Sequence, residues 1–361
     1  MQGSRWFRRA ASGVVVSLTA AAGCTGLAVS AHATSSFTFR RVAGADRFAT
    51  ADQIDRKAFP AGEPTVFLAD GMLGHQSDAL AASGLEGLRT QGVLLTDNTG
   101  QVPPNTLTAL GGNKVTTVNV LGGTAAVSSA QITQLRTAGY TVNTPYQGAT
   151  RYDTMKMVDE TIGAANVGTD TSGKKTGLLA SGDDTHLVDA LSAGGLAYSK
   201  HFPIILTNSS SPTLQPQAAQ VISDLGITAL IVVGGTAAVP ASQYAGLAGV
   251  TIDHVATGSD RSATSKDLSE YAISQRWDVN TGMSLARGDD GADALAAAPL
   301  IGGGKLPQLV TNSPTDVGSA TAFASAHAST LAGPSPALGG PVAVPDQQLS
   351  AIATAGGGTF P

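Results

Sequence analysis

The chain has 361 residues, 21 basic against 26 acidic side chains, a formal net charge of −5 and a single cysteine. An acidic chain is badly matched to a phosphate backbone, which argues against nucleic acid as the main partner. One cysteine forms no internal disulfide, so stability has to come from packed cores, and no apolar run beyond the leader reaches the ~18 residues of a membrane span.

In chain order, residues 1–33 read as a secretory signal peptide. Arg5, Arg8 and Arg9 form a positive head, Val14 to Ala22 an apolar run, and Ala31-His32-Ala33 a small-x-small cleavage site. The alternative is a lipoprotein leader acylated at Cys24, after Ala22-Gly23. Removing the leader takes away three arginines and no acid, so the mature chain carries −8.

Helical spacing then runs from Asp46 to Lys57, with Phe48, Ile54 and Ala58 in phase, and again from Ser77 to Arg89 and Ser128 to Ala138. Between these lie Thr65–Ala69, Gly92–Thr96 and Val115–Leu121, short runs that are apolar throughout. Strands apolar on both faces, separated by helices, predict a small, mostly parallel α/β sheet flanked by helices. Gly177–Ala180, Pro203–Thr207 and Ala229–Val233 repeat the plan, and Met283–Ala286 and Gln308–Thr311 begin it a third time. Pro334, Pro336 and Pro341 crowd the third strand of that last copy, and Gly302-Gly303-Gly304 replaces an apolar helix end, so it is expected to be the most irregular. The junctions, Thr144–Gly148 and Asp253–Ala256, are too short for beads on linkers and predict one compact assembly of three α/β units.

Three markers keep this order. Asp78-Ala79-Leu80 returns as Asp189-Ala190-Leu191 and Asp293-Ala294-Leu295; Leu95-Thr96-Asp97 as Leu206-Thr207-Asn208 and Val310-Thr311-Asn312. Val120-Leu121-Gly122-Gly123-Thr124-Ala125-Ala126-Val127 returns closely at Val232–Val239 and in altered form at Ala337–Val344. The mature chain therefore divides into repeats at 34–146, 147–254 and a degenerate 255–361. Three equivalent copies suit multivalent contact with a repeating polymer better than a single active site.

Each recurring residue has a bland and a functional reading. Gly122-Gly123, Gly234-Gly235 and Gly339-Gly340 suit a sharp strand-to-helix turn, where positive φ costs glycine least, or a turn whose free N–H groups hold an anion. Pro240 and Pro345, matching Ser128, suit the first turn of the helix that follows. Asp78, Asp189 and Asp293 suit helix starts, where an acid complements the dipole and caps N–H groups. Arg47, Arg151 and Arg261 also fall at helix starts, where the dipole disfavours a cation, so an acid on the neighbouring repeat or an anionic ligand has to account for them. His75, His186 and Asp290 precede the three acids by three residues, too thin a set for a metal site. No catalytic constellation, metal site or cofactor motif is visible.

Val42–Ala51, Asp78–Ala82, Val93–Thr96 and Val120–Val127, with their counterparts around Arg151 and Arg261, together resemble the type 2 cell-wall-binding repeat of Gram-positive surface proteins. The resemblance covers nearly everything after the leader and is loosest at Ser259–Thr264 and Gly339-Gly340-Pro341. It implies three α/β units about a pseudo-threefold axis. It also implies non-covalent anchoring to an anionic wall polymer, teichoic-acid-like or another anionic glycan. The expected protein is exported, wall-associated and non-catalytic. The alternative is an enzyme, inhibitor or small-molecule receptor using the strand-end loops. The sequence names no protein partner.

Overall fold

A computed structural model describes residues 37–360; the leader, with its two processing alternatives at Ala33 and Cys24, lies outside the described residues. After β1 (Thr38–Val42), the first unit runs α1 (Arg47–Ala58), β2 (Thr65–Asp70), α2 (Ser77–Arg89), β3 (Val93–Thr96), α3 (Pro104–Gly112), β4 (Thr117–Leu121), α4 (Ser129–Thr137) and β5 (Thr141–Tyr146). The second runs α5 (Arg151–Ile162), β6 (Thr176–Ser181), α6 (Ala193–Lys200), β7 (Ile204–Thr207), α7 (Pro216–Asp224), β8 (Ala229–Val233) and β9 (Thr251–Ala256). The third runs α8 (Arg261–Ser274), β10 (Ser284–Arg287), α9 (Ala292–Leu295), α10 (Ala298–Gly304), β11 (Gln308–Thr311), α11 (Ala320–Ala326), β12 (Pro334–Leu338) and α12 (Asp346–Ala355).

The strands form three parallel four-stranded sheets, ordered β3-β2-β4-β5, β7-β6-β8-β9 and β11-β10-β12-β1. The first and central strands of the sheets are largely buried on both faces, as continuous apolar strands require, whereas the fourth strands β5, β9 and β1 are partly exposed. In the first sheet, Val66 and Leu68 pack outward with Leu110 and Leu135, whereas Phe67 and Ala69 join a core that extends from Val42 to Leu338. That shared core joins the three units. At its centre α2, α6 and α10 pack on one another, and a Cβ on Gly195 would lie 2.7 Å from Cγ2 of Ile301.

The expected junctions are strands. Thr144–Tyr146 belongs to β5 and Asp253–Ala256 to β9, each the fourth strand of the unit before it. The same rule closes the array, because β1 pairs in register with β12 from Thr38↔Pro334 to Val42↔Leu338. The first strand thus completes the last sheet, with Phe37 and Phe39 buried in the third unit's outer core.

The third unit is more regular than its prolines and glycines predict. Proline cannot donate to a ladder, so β12 meets β10 through one Cα pair, Leu285↔Ala337, while its ladder to β1 spans five. The Ser335 hydroxyl accepts from the Met283 N–H (3.1 Å) and replaces part of the lost pairing. Gly302-Gly303-Gly304 stays helical, and Lys305 ends the helix at φ +51°. The most reduced element lies in the second unit, where the closing helix shrinks to one 3-10 turn, Ala241–Gln243. Pro240 and Pro345 stand at the cap positions rather than inside the first turn, whereas Ser128 caps α4 with Gln131 in a capping box.

Candidate functional site

In each all-parallel sheet the strand order reverses between the two central strands, and the crevice beyond their carboxyl ends is where open α/β sheets receive ligands. Asp78 follows β2 and Gly122 follows β4, so this crevice brings them together. Gly122, Gly234 and Gly339 have φ of +92°, +117° and +100°. A Cβ on Gly122 or Gly339 would collide with the carboxylate of Asp78 or Asp293. The glycine therefore meets two demands, a left-handed backbone and the close approach of a carboxylate.

Its N–H is occupied. Gly122 donates to Tyr146 O, Gly234 to Ala256 O and Gly339 to Val42 O, each at 2.9 Å, which ties every turn to the neighbouring fourth strand. The second glycine differs. The N–H groups of Gly123, Gly235 and Gly340 have no hydrogen-bond partner among the described residues, and the same holds for Thr236 and Ala237.

None of the three acids is the N-cap of its helix; each faces the next unit around the ring. Burial pushes the Asp78 carboxyl up to about 7, with Arg151 and Thr154 of the second unit opposing the shift. Burial and the nearby Asp290 push Asp293 up to about 6, against Arg47 and Thr50 of the first unit. Burial raises Asp189 against His186 and Arg261. Three junctions thus repeat an acid and a Gly-Gly turn from one unit against an arginine from the next, with a threonine also on the acid at the first-to-second and third-to-first junctions. Thr50, Thr154 and Thr264 were not singled out by sequence. The missed signal is local: each stands three residues after its arginine, and Gly44, Gly148 and Gly258 stand three before it. A Cβ on any of these glycines would strike the first turn of the helix it precedes.

The arginines do not have equivalent partners. Arg47 donates to Gly71 O (2.9 Å) in its own unit and to Asp290 Oδ2 (3.0 Å) in the third. Arg151 donates to Gly182 O and Asp184 Oδ1 (both 2.5 Å) in its own unit and to Gly74 O (3.3 Å) in the first. The Arg261 guanidinium has no hydrogen bond or ion pair among the described residues. The cleft at the third-to-first junction measures about 290 Å³ and is lined by Arg47, Arg287, Asp290, Asp293, Gly340 and Val342. That at the first-to-second measures about 160 Å³, between Asp78, Gly123 and Arg151. Arg287-Gly288-Asp289 is engaged internally, Arg287 binding Asp289 through Nε (2.5 Å) and Nη2 (2.9 Å). Among the described residues no group of three or more His, Cys, Asp or Glu is placed to hold a metal ion.

Three α/β units, the last sheet closed by the first strand, with corresponding acids, Gly-Gly turns and arginines at their junctions, define a tandem-repeat module. The family model described as cell wall binding domain 2 matches residues 41–132, 146–244 and 256–349, and the chain belongs to that family. It is 27% identical over 274 residues to the N-acetylmuramoyl-L-alanine amidase LytC of Bacillus subtilis, covering 76% of this chain and 50% of that protein. Two solved structures share the fold. Cwp6 from Clostridium difficile matches with a TM-score of 0.72 at 21% identity, covering 88% of this chain and 48% of that one. Cwp8 from the same organism gives 0.69 at 22%, covering 88% and 51%. The chain spans about half the length of these relatives.

Proposed function

We propose that this protein is an exported, non-catalytic anchor that holds an anionic glycan of the cell wall at the carboxyl-end face of its three sheets. The observation that carries the reading is that an acid, a Gly-Gly turn and an arginine recur at all three junctions, with clefts between Gly340 and Arg47 and between Gly123 and Arg151. An enzyme needs one specialised site, whereas an anchor on a repeating polymer gains effective concentration from each further weak site. The candidate contacts are Arg261 and the second glycine of each turn, Gly123, Gly235 and Gly340, whereas Arg47 and Arg151, at the corresponding positions, are already engaged by Asp290 and Asp184. The first glycines, Gly122, Gly234 and Gly339, shape the turn and hold the fourth strand. Asp78, Asp189 and Asp293 sit beneath the turns and are assigned to holding the junctions together.

The mature charge of −8 and an anionic polymer repel at long range, so attraction has to be local, through guanidinium and N–H groups. Sedimentation with purified walls tests this, before and after chemical removal of the secondary polymers. Binding should be lost on removal and should weaken with salt. Unchanged binding to stripped peptidoglycan would overturn the polymer assignment. Export is proposed with cleavage near Ala33, and the mass of the mature protein distinguishes this from acylation at Cys24.

A further inference from the structure

The threefold recurrence of arginine hides a difference in what each guanidinium meets. The loop from the end of β10 to Asp293 is two residues shorter than the loops from β2 to Asp78 and from β6 to Asp189. On that short loop Asp290 reaches across the junction to Arg47 (3.0 Å). Its neighbour Asp289 is held by Arg287 through two bonds. Both acids of this loop are therefore engaged by arginines other than Arg261. Across the second-to-third junction, His186 stands where Asp290 stands in the third unit. Arg261 feels Asp189 and Asp289 electrostatically, without a bond to either. In the second unit the acid at the same distance past the strand-end glycine, Asp184, binds Arg151 at 2.5 Å. In the first unit Met72 and Leu73 occupy the matching stretch, so Arg47 depends on Asp290.

An arginine left half-buried without an acid is costly to hold unless something anionic completes it. The facing turn offers Gly235, Thr236 and Ala237, whose N–H groups have no partner among the described residues. Successive unpaired N–H groups of this kind suit an oxyanion. At the third-to-first junction Pro341 removes one such donor.

We propose that the three arginines divide their work: Arg47 and Arg151 latch neighbouring units together, and Arg261 grips the oxyanion of the wall polymer at the second-to-third junction. This rests on the polymer-anchor reading above. The shared chemistry is a singly charged oxyanion, which a phosphodiester or a uronic carboxylate both supply.

The test uses the full mature chain and purified walls, with the melting temperature measured for every variant. Arg261→Gln should weaken sedimentation with walls by about ten-fold or more, the effect of one lost charge-assisted contact, and leave the melting temperature unchanged. Arg261→Lys, which keeps the charge and loses the fork, should recover part of the binding. Arg47→Ala and Arg151→Ala should lower the melting temperature while leaving folded protein able to bind. Competition at matched ionic strength by glycerol phosphate or by glucuronate identifies the oxyanion, and the effective competitor should lose its effect in Arg261→Gln. Wild-type binding matched by Arg261→Gln would overturn this inference and leave the anchor reading standing. A melting temperature for Arg261→Gln as low as that of Arg47→Ala would also overturn it, making Arg261 a third latch. Absence of wall binding by the wild type would instead remove the anchor reading itself.

Discussion

At the scale of single residues, the acids that matter most to stability are the hidden ones. Asp55, Glu63 and Glu86 are all buried where α1, α2 and the start of β3 meet. The Asn113 amide donates to Asp55 (2.5 Å) and the Gly92 N–H to Glu63 (3.0 Å), while neither oxygen of Glu86 has a hydrogen-bond partner. Burial, with the charge of Asp55 added, pushes Glu63 up to about 10. Burial takes Asp55 up to about 6 and raises Glu86 well above the usual carboxyl range. The folded chain thus keeps protons that the unfolded chain releases near pH 4. Stability is fully present below that pH and falls as pH climbs through the raised values. Acids held low, such as Asp289 by Arg287, lose their contribution only under more acidic conditions. The protein should melt at a higher temperature at pH 5 than at pH 8. Glu86→Gln, neutral at every pH, should add roughly 1–3 kcal/mol at pH 8 and narrow that difference. A wild-type melting temperature indifferent to pH over this range would refute the account. Sequence shows that these acids exist, but three carboxyls far apart along the chain give no sign of sharing one pocket. The junction arginines show the same limit. Their recurrence is legible, whereas the missing partner of Arg261 depends on how far a two-residue-shorter loop lets Asp290 reach.

At the scale of elements, the strands were the legible part, because burial on both faces leaves a run apolar at every position. Thr65–Asp70, Val93–Thr96 and Ile204–Thr207 fall where those runs predict. The partner of β1 was not legible. Its pairing with β12 joins residues almost the whole chain apart, and nothing local in Thr38–Val42 marks it as an outer strand of the last sheet. Helix packing at the centre was equally silent, since Gly194-Gly195 and Gly302 read as weak helix rather than as contact surface. Their meaning lies in how closely α6 approaches α10. Gly195→Val places a side chain against Ile301 and should cost about 1–3 kcal/mol through overpacking. Gly303→Ala, two residues beyond Ile301 and facing open space, should be neutral or raise stability by up to about 1 kcal/mol. Thermal melting of the pair separates packing from helix propensity, and equal effects from both would show that the central contact is not tight.

At the scale of the whole molecule, the three units depend on one another in two ways. One apolar core runs through all three, and the last sheet is completed by the first strand, with the Thr359 N–H donating to Phe37 O (3.1 Å) where the two ends of the described chain meet. A chain ending at Ala256 would lose β10 to β12, leave β1 without a ladder, and expose Phe37, Phe39 and the faces of α2 and α6 that α10 covers. Such a shortened protein should melt well below the full chain, over a broader transition, and should tend to associate through its uncovered apolar surface. Loss of wall binding on truncation would then report unfolding as much as a missing site, so binding has to be dissected by point substitutions such as Arg261→Gln. Limited proteolysis gives the complementary reading. Cleavage in exposed loops should leave the pieces associated under native conditions, because each contributes to the common core. Release of a single repeat that stays folded and monomeric, with its own sharp melting transition, would show that the units are independent and that closure by β1 adds nothing to their stability.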